Sequence, residues 1–241
     1  MHTRTEPTLG GETSSRAPGS LEAFDRMLTT FDEAFARFGA SRAMRFLTSR
    51  SFTQRHYAAA LREFYFYTRD NPQLQASLTL HLRGSQRTAV KRLLAHAIAE
   101  VGHDQMALDD LRTLGEDVRS VESGGPLPST IPMIAFPVWQ LTQGNPIGYL
   151  GHVFFLEFMP TRGGRSYLQA LASAGIPSAA CSFISEHAAV DVQHNQLMRQ
   201  HVADLVLSEA DLDACVQAIR TSAHLYAHML EGAFASVTGE L

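Results

Sequence analysis

Residues 186–196 read EHAAVDVQHNQ, which sets His187, Asp191 and His194 at positions i, i+4 and i+7. At about 100° per residue, a helix projects these three side chains from one face. Two imidazoles and a carboxylate in one stripe form a metal-binding pattern. Upstream, AEVGHD supplies Glu100 and His103, and FFLEFM places Glu157 inside an apolar run. Three helices thus offer six nitrogen and carboxylate ligands: Glu100, His103, Glu157, His187, Asp191 and His194.

The surroundings of these residues read as helix. From Leu21 onward apolar residues recur at helical spacing, with no alternating Val/Ile/Thr-rich strand. The pattern predicts helices over Leu21–Phe38 (capped by Ser20), Arg42–Leu47 and Thr53–Tyr67. After a break at Asn71-Pro72 comes a short helix from Gln73 to Leu82. One long helix spans Ser85 to Leu114 and carries the first ligand pair. A loop, GGPLPST, precedes Ile131–Leu141. Another helix starts at Asn145-Pro146 and stops at Pro160, followed by a turn at Arg162-Gly163-Gly164 and a short helix from Ser166 to Ala172. Gly175-Ile176-Pro177 opens the long helix of His187, and Ser208 with Asp211 caps a last helix to about Val237. The expectation is an all-α fold of about ten helices in one domain over 20–241, behind a disordered tail over 1–19.

Composition agrees with a soluble globular chain. The 241 residues are 45% hydrophobic and 18% charged, enough to bury a core, and a net charge of −4 gives no reason to expect nucleic acid or an anionic membrane. Two cysteines, Cys181 and Cys215, are too few for a disulfide framework and suit a reducing cytoplasm. The first twenty residues lack the apolar stretch of a signal peptide, and no uncharged run is long enough to cross a bilayer.

Each ligand candidate has a structural alternative. A Glu-x-x-His pair is common on helices, and a buried glutamate must be paired, whether with a metal or an arginine. His96 lies one turn before Glu100 and is either an alternative ligand or a hydrogen-bond donor to one. His201 extends the second stripe in the same supporting role. A rival stripe, His224, His228 and Glu231, reads better as a solvated face. His152 lies off the Glu157 face, and His56 and His81 stand alone. Tyr149, Phe154, Phe155, Phe158 and Trp139 are candidate pocket aromatics.

The order Glu-x-x-His, isolated Glu, His-x-x-x-Asp-x-x-His resembles the haem-oxygenase-like di-iron oxidases. The phrases HAIAEVGHDQMALDDLRTLG and GYLGHVFFLE are similar to the surroundings of that family's first ligands and central glutamate. The resemblance spans roughly Leu80 to Val206. It implies a haem-oxygenase-like helical bundle and two Fe(II) ions, the second labile, held by the six residues above, with O2 as co-substrate. The implied reactions are N-oxygenation or oxidative C–C cleavage of a small amine- or carboxylate-bearing substrate, such as an amino acid or fatty acid, in natural-product biosynthesis. A homodimer is implied on the same ground. Two other readings stay open: a metal-independent enzyme akin to thiaminase or the quinone-cofactor synthase, and a non-catalytic helical interaction protein. A missing second Glu-x-x-His disfavours ferritin-like storage.

Overall fold

The computed structural model describes residues 19–189 and 191–238, with the side chains of 191–195 and 238 excluded, so the expected tail before Gly19 lies outside the described residues. Among these residues twelve α-helices follow one another: α1 (Ser20–Gly39), α2 (Arg42–Leu47), α3 (Gln54–Thr68), α4 (Asn71–Ser77), α5 (Arg87–Ala99), α6 (His103–Thr113), α7 (Val118–Glu122), α8 (Ile131–Thr142), α9 (Tyr149–Ser173), α10 (Ser182–Ala189), α11 (Asp191–Leu205) and α12 (Glu209–Thr238). Short 3-10 turns link several of them, and there is no strand among the described residues. No described helix is long and apolar enough to cross a membrane.

Apolar residues at three- and four-residue spacing set the packing. In α1, Ala23, Phe24, Met27, Phe31, Ala34 and Phe38 are buried, and this stripe lies against α9 and α12. Phe24 and Phe31 interlock there with Phe154 and Phe158. The long helix α12 also packs on α3 and α9, while α10 lies between α9 and α6. Three of the helices that present ligand candidates, α6, α9 and α10, thus pack side by side. Cys181 and Cys215 are buried free thiols.

Five boundaries depart from the sequence reading. Gly19, not Ser20, occupies the cap position of α1. Asn71-Pro72 begins α4, with proline in the first turn, and a 3-10 turn completes the segment over Leu78–His81. The expected helix from Ser85 to Leu114 is two helices. Gly102 has φ +99°, a left-handed conformation that ends the first and that only glycine adopts cheaply. The α9 helix runs through Pro160, Gly163 and Gly164 without stopping. The missing proline N–H costs one helical bond, but α9 is wedged between α1, α10 and α12, and that packing holds the helix. Finally, Gly175–Pro177 leads into a 3-10 turn at Ser178–Ala180, and α10 begins only at Ser182. By contrast, Ser208 caps α12 as expected: its Oγ accepts the Asp211 N–H at 3.1 Å.

One buried histidine gives the fold a pH dependence. His152 is fully enclosed in α9, with Nδ1 2.9 Å from Ser222 Oγ of α12, and burial pushes its pKa down to about 4. The folded state keeps this ring neutral, whereas the unfolded chain protonates it near pH 6.5. Stability is therefore independent of this group above about pH 6.5 and falls as the pH drops towards 4. The loss approaches about 3 kcal/mol, from roughly 1.4 kcal/mol per pKa unit. Urea unfolding at pH 7 and pH 4.5 should show a smaller pH-dependent loss in His152→Gln than in the wild type. Equal losses would remove His152 from the account.

Candidate metal centre

The break at Gly102 shapes the centre. Glu100 is the residue that ends α5, and His103 is the first residue of α6. They are therefore not successive turns of one helix but two helix ends folded back on each other. His103 Nδ1 nevertheless lies 2.9 Å from Glu100 Oε2. Glu157 enters from the middle of α9, its Oε1 3.0 Å from His96 Nε2. The same His96 atom lies 3.8 Å from Glu100 Oε1. One ligand atom each from His96, Glu100 and Glu157 fits within 4.8 Å of the others.

His187 of α10 closes the arrangement. Its ring sits 4.8 Å from that of His103, centre to centre, and its Nδ1–H donates to the Phe183 carbonyl at 2.5 Å. That bond fixes the tautomer and leaves the Nε2 lone pair free to bind a cation. Burial holds His187 below the usual imidazole range, with a further push from His103, against the opposing pull of the Phe183 carbonyl and the carboxylates of Glu100 and Glu157. The ring is thus kept neutral, the state a ligand requires.

The position of α10 is set from α6. Asp110 is buried and accepts the Ser182 N–H at 2.9 Å, the Ser182 hydroxyl at 2.7 Å and the Phe183 N–H at 2.9 Å. It thus caps α10 from 72 residues away in sequence. Phe183 then holds His187 through its carbonyl and through ring contact at 4.6 Å. Asp110→Ala should cost about 2 kcal/mol, the upper end for a lost cap, and lower the melting temperature by roughly 5 °C in a chain of this size. Metal affinity should fall with it, since His187 loses its anchor. Calorimetric melting with metal titration checks both, and an unchanged affinity would refute the link.

Of the six expected ligands, Glu100, His103, Glu157 and His187 come together. The side chains of Asp191 and His194 lie outside the described residues; only the helical backbone of α11, from Asp191 onward, is described there. His96 faces the two carboxylates, as one of its two expected roles requires. His201 is buried and stacks on His96 with ring centres 5.5 Å apart. The rival stripe is elsewhere: His224, His228 and Glu231 border a separate groove with Arg37 and Arg220, and Glu231 accepts the Arg42 N–H. His56 belongs to the cap of α3, and His81 is exposed. Among the aromatics only Tyr149 lines the site. Phe154, Phe155 and Phe158 are core, and Trp139 is 47% exposed.

Glu100, Glu157 and His187 form one wall of a cavity of about 100 Å³ that extends past Tyr67, Tyr149 and Val153 to Phe35, Met44 and Gly163. Tyr67 and Tyr149 are held protonated, chiefly by burial and secondarily by Glu100 and Glu157. The sequence reading missed Asp110 and Tyr67. A buried aspartate in an amphipathic helix was the available signal for the first, and Tyr67 carried none.

Among the described residues the cavity lining contains the carboxylates of Glu100 and Glu157 and no arginine or lysine. Two carboxylates and several imidazoles are the donor set of a first-row divalent metal. The residues fit iron.

A family profile described as iron-containing redox enzyme matches residues 58–227. A domain of unknown function with a heme oxygenase-like fold from Shewanella denitrificans OS217 superposes with a TM-score of 0.78 at 25% identity, covering 90% of this chain and 93% of that one. A TenA homolog from Pseudomonas syringae pv. tomato DC3000 gives 0.69 at 12% identity over 92% and 99% of the two chains. A TenA homologue from P. horikoshii OT3 gives 0.69 at 10% identity over 88% and 98%. The last two likenesses concern the fold alone. No curated protein matches the sequence.

Proposed function

The chain belongs to the iron-containing redox enzymes, with a haem oxygenase-like fold, and from that premise we propose that it is an O2-dependent non-haem di-iron oxidase or oxygenase. The observation that carries this reading is the meeting of Glu100 and Glu157, from separate helices, within reach of three imidazoles at the wall of an apolar cavity. Glu100, His103, Glu157 and His187 would hold the ions, together with Asp191 and His194 of α11. Reduced iron, when bound, supplies the electrons that side chains cannot give to O2.

The protein's own residues bind, orient and shield. Val153, Leu156, Phe38 and Ile184 line the cavity and keep water from the reacting centre. Protonated Tyr67 and Tyr149 offer neutral O–H groups beside the carboxylates rather than added negative charge. With no arginine or lysine in the described lining, an anionic substrate end has to meet the metal ions themselves, and the remainder has to be apolar. An amine- or carboxylate-headed amino acid or acyl chain meets both conditions, and its N-oxygenation or oxidative C–C cleavage is the reaction proposed.

Anaerobic titration with Fe(II), followed by O2-electrode measurement with and without candidate amines and acids, tests the reading. Two Fe(II) per chain and substrate-accelerated O2 uptake are expected. Failure to bind Fe(II), or activity unchanged by chelation, would favour a metal-independent enzyme on the same fold.

A further inference from the structure

We propose that His96 is itself a metal ligand, completing with Glu100 and Glu157 a half-site that Glu100 joins to a second one at His103 and His187. The inference rests on the di-iron reading and adds a seventh protein ligand to the six expected from the sequence.

Three observations carry it. First, the distances are those of atoms around one ion. Metal bonds of about 2.0–2.2 Å put neighbouring ligand atoms roughly 3–4.4 Å apart, and His96 Nε2 lies 3.0 Å from Glu157 Oε1 and 3.8 Å from Glu100 Oε1. A histidine that only supports a ligand aims its N–H at a single acceptor; His96 Nε2 is at hydrogen-bond distance from Glu157 and also lies within 4 Å of Glu100, a carboxylate from a second helix. Second, the two Glu100 oxygens are divided. Oε1 is turned to His96, whereas Oε2 lies 2.9 Å from His103 Nδ1. A carboxylate used this way joins two neighbouring positions. Third, the His96 ring is held in place. Its side chain is only 2% exposed, and His201, also buried, lies flat against it with the planes 15° apart. A ring clamped in this way stays aimed at the gap, and such preorganisation is what a ligand needs.

Anaerobic Co(II) titration of the full-length wild type, His96→Ala and His96→Gln, read by visible absorbance and calorimetry, tests this. The wild type should take up two Co(II) per chain. Both variants should retain one site and weaken the other by more than about 100-fold, beyond the 10–100-fold that loss of a supporting partner costs. Free imidazole should restore the second site in His96→Ala. His96→Gln keeps an N–H donor, so a Gln variant with two wild-type sites overturns the proposal, as does an unaffected Ala variant. A wild type that binds no Co(II) overturns the di-iron reading as well, which separates the two failures. Should the variants misfold, histidine ¹⁵N spectra of the Zn(II)-loaded wild type still decide. The His96 Nε2 signal moves to the metal-bound position if the proposal holds and stays at its hydrogen-bonded position if it does not.

Discussion

Glu157→Gln should abolish iron-dependent O2 consumption and at the same time raise the melting temperature of the metal-free protein. The two effects have opposite signs because one residue serves two states. In the proposed iron-loaded enzyme Glu157 would be the ligand supplied by α9, and a neutral amide is a poor substitute for a carboxylate on a hard divalent ion. Metal affinity should fall by more than about 100-fold, above what loss of an outer partner costs, and O2 uptake should reach background. In the metal-free protein, Glu157 and Glu100 bring two half-buried carboxylates within 4.8 Å of each other. At the effective dielectric of protein sites, their repulsion is on the order of 1–3 kcal/mol. The glutamine retains an oxygen for His96 Nε2 and removes that repulsion, so metal-free melting should rise by roughly 2–8 °C. Calorimetry with and without chelator, beside O2-electrode assays, reads both. A metal-free variant that melts lower than the wild type would mean that Glu157 is a structural ion-pair partner rather than a ligand held at a cost to stability.

Much of this centre was readable from one chain. Helical periodicity gave an all-α fold, and Glu100, His103, Glu157 and His187 lie near one another, though Glu100 and His103 meet across a helix break rather than on the single helical face that their spacing implied. Two kinds of information were not local. The first is where helices end. Gly102 and Pro160 are both helix-breaking residue types, yet Gly102 breaks its helix and Pro160 does not. The difference is tertiary. At Gly102 the chain turns at the protein surface into a left-handed conformation, whereas Pro160 lies in a helix packed against α1, α10 and α12, where burial outweighs one missing hydrogen bond. The second is which residue supports which. Asp110 caps a helix 72 residues further on, and nothing in the spacing of ALDDL names that partner. His96 is intermediate: helical phase put it beside Glu100, but only coordinates show it facing Glu157 as well.

Gly151 supports the largest stability prediction, because local and tertiary physics disagree about its sign. It lies inside α9, where alanine is the better helix former by about 1 kcal/mol, so propensity alone predicts that Gly151→Ala stabilises. The structure predicts the reverse. A Cβ at this position would come within 2.8 Å of both the Cα and the carbonyl carbon of Cys215, and closer still to its oxygen. These are backbone atoms of α12, which cannot rotate aside. The two longest helices pack here at backbone distance, and Cys215 Sγ reaches the Ile147 carbonyl 3.2 Å away. Admitting one methyl group means separating α9 from α12. Overpacking of this kind costs about 1–3 kcal/mol where side chains can adjust and more where backbone must move. The net loss should be at least about 2 kcal/mol, and roughly 5–10 °C in melting temperature. Gly125→Ala, where an added Cβ meets nothing within 4 Å, should change melting by less than about 2 °C. Because Glu157 lies less than two turns further along α9, the shift should also weaken metal binding in chains that still fold. A Gly151→Ala protein that melts at or above the wild-type temperature would show that the α9–α12 contact is not the tight joint on which the position of Glu157 depends.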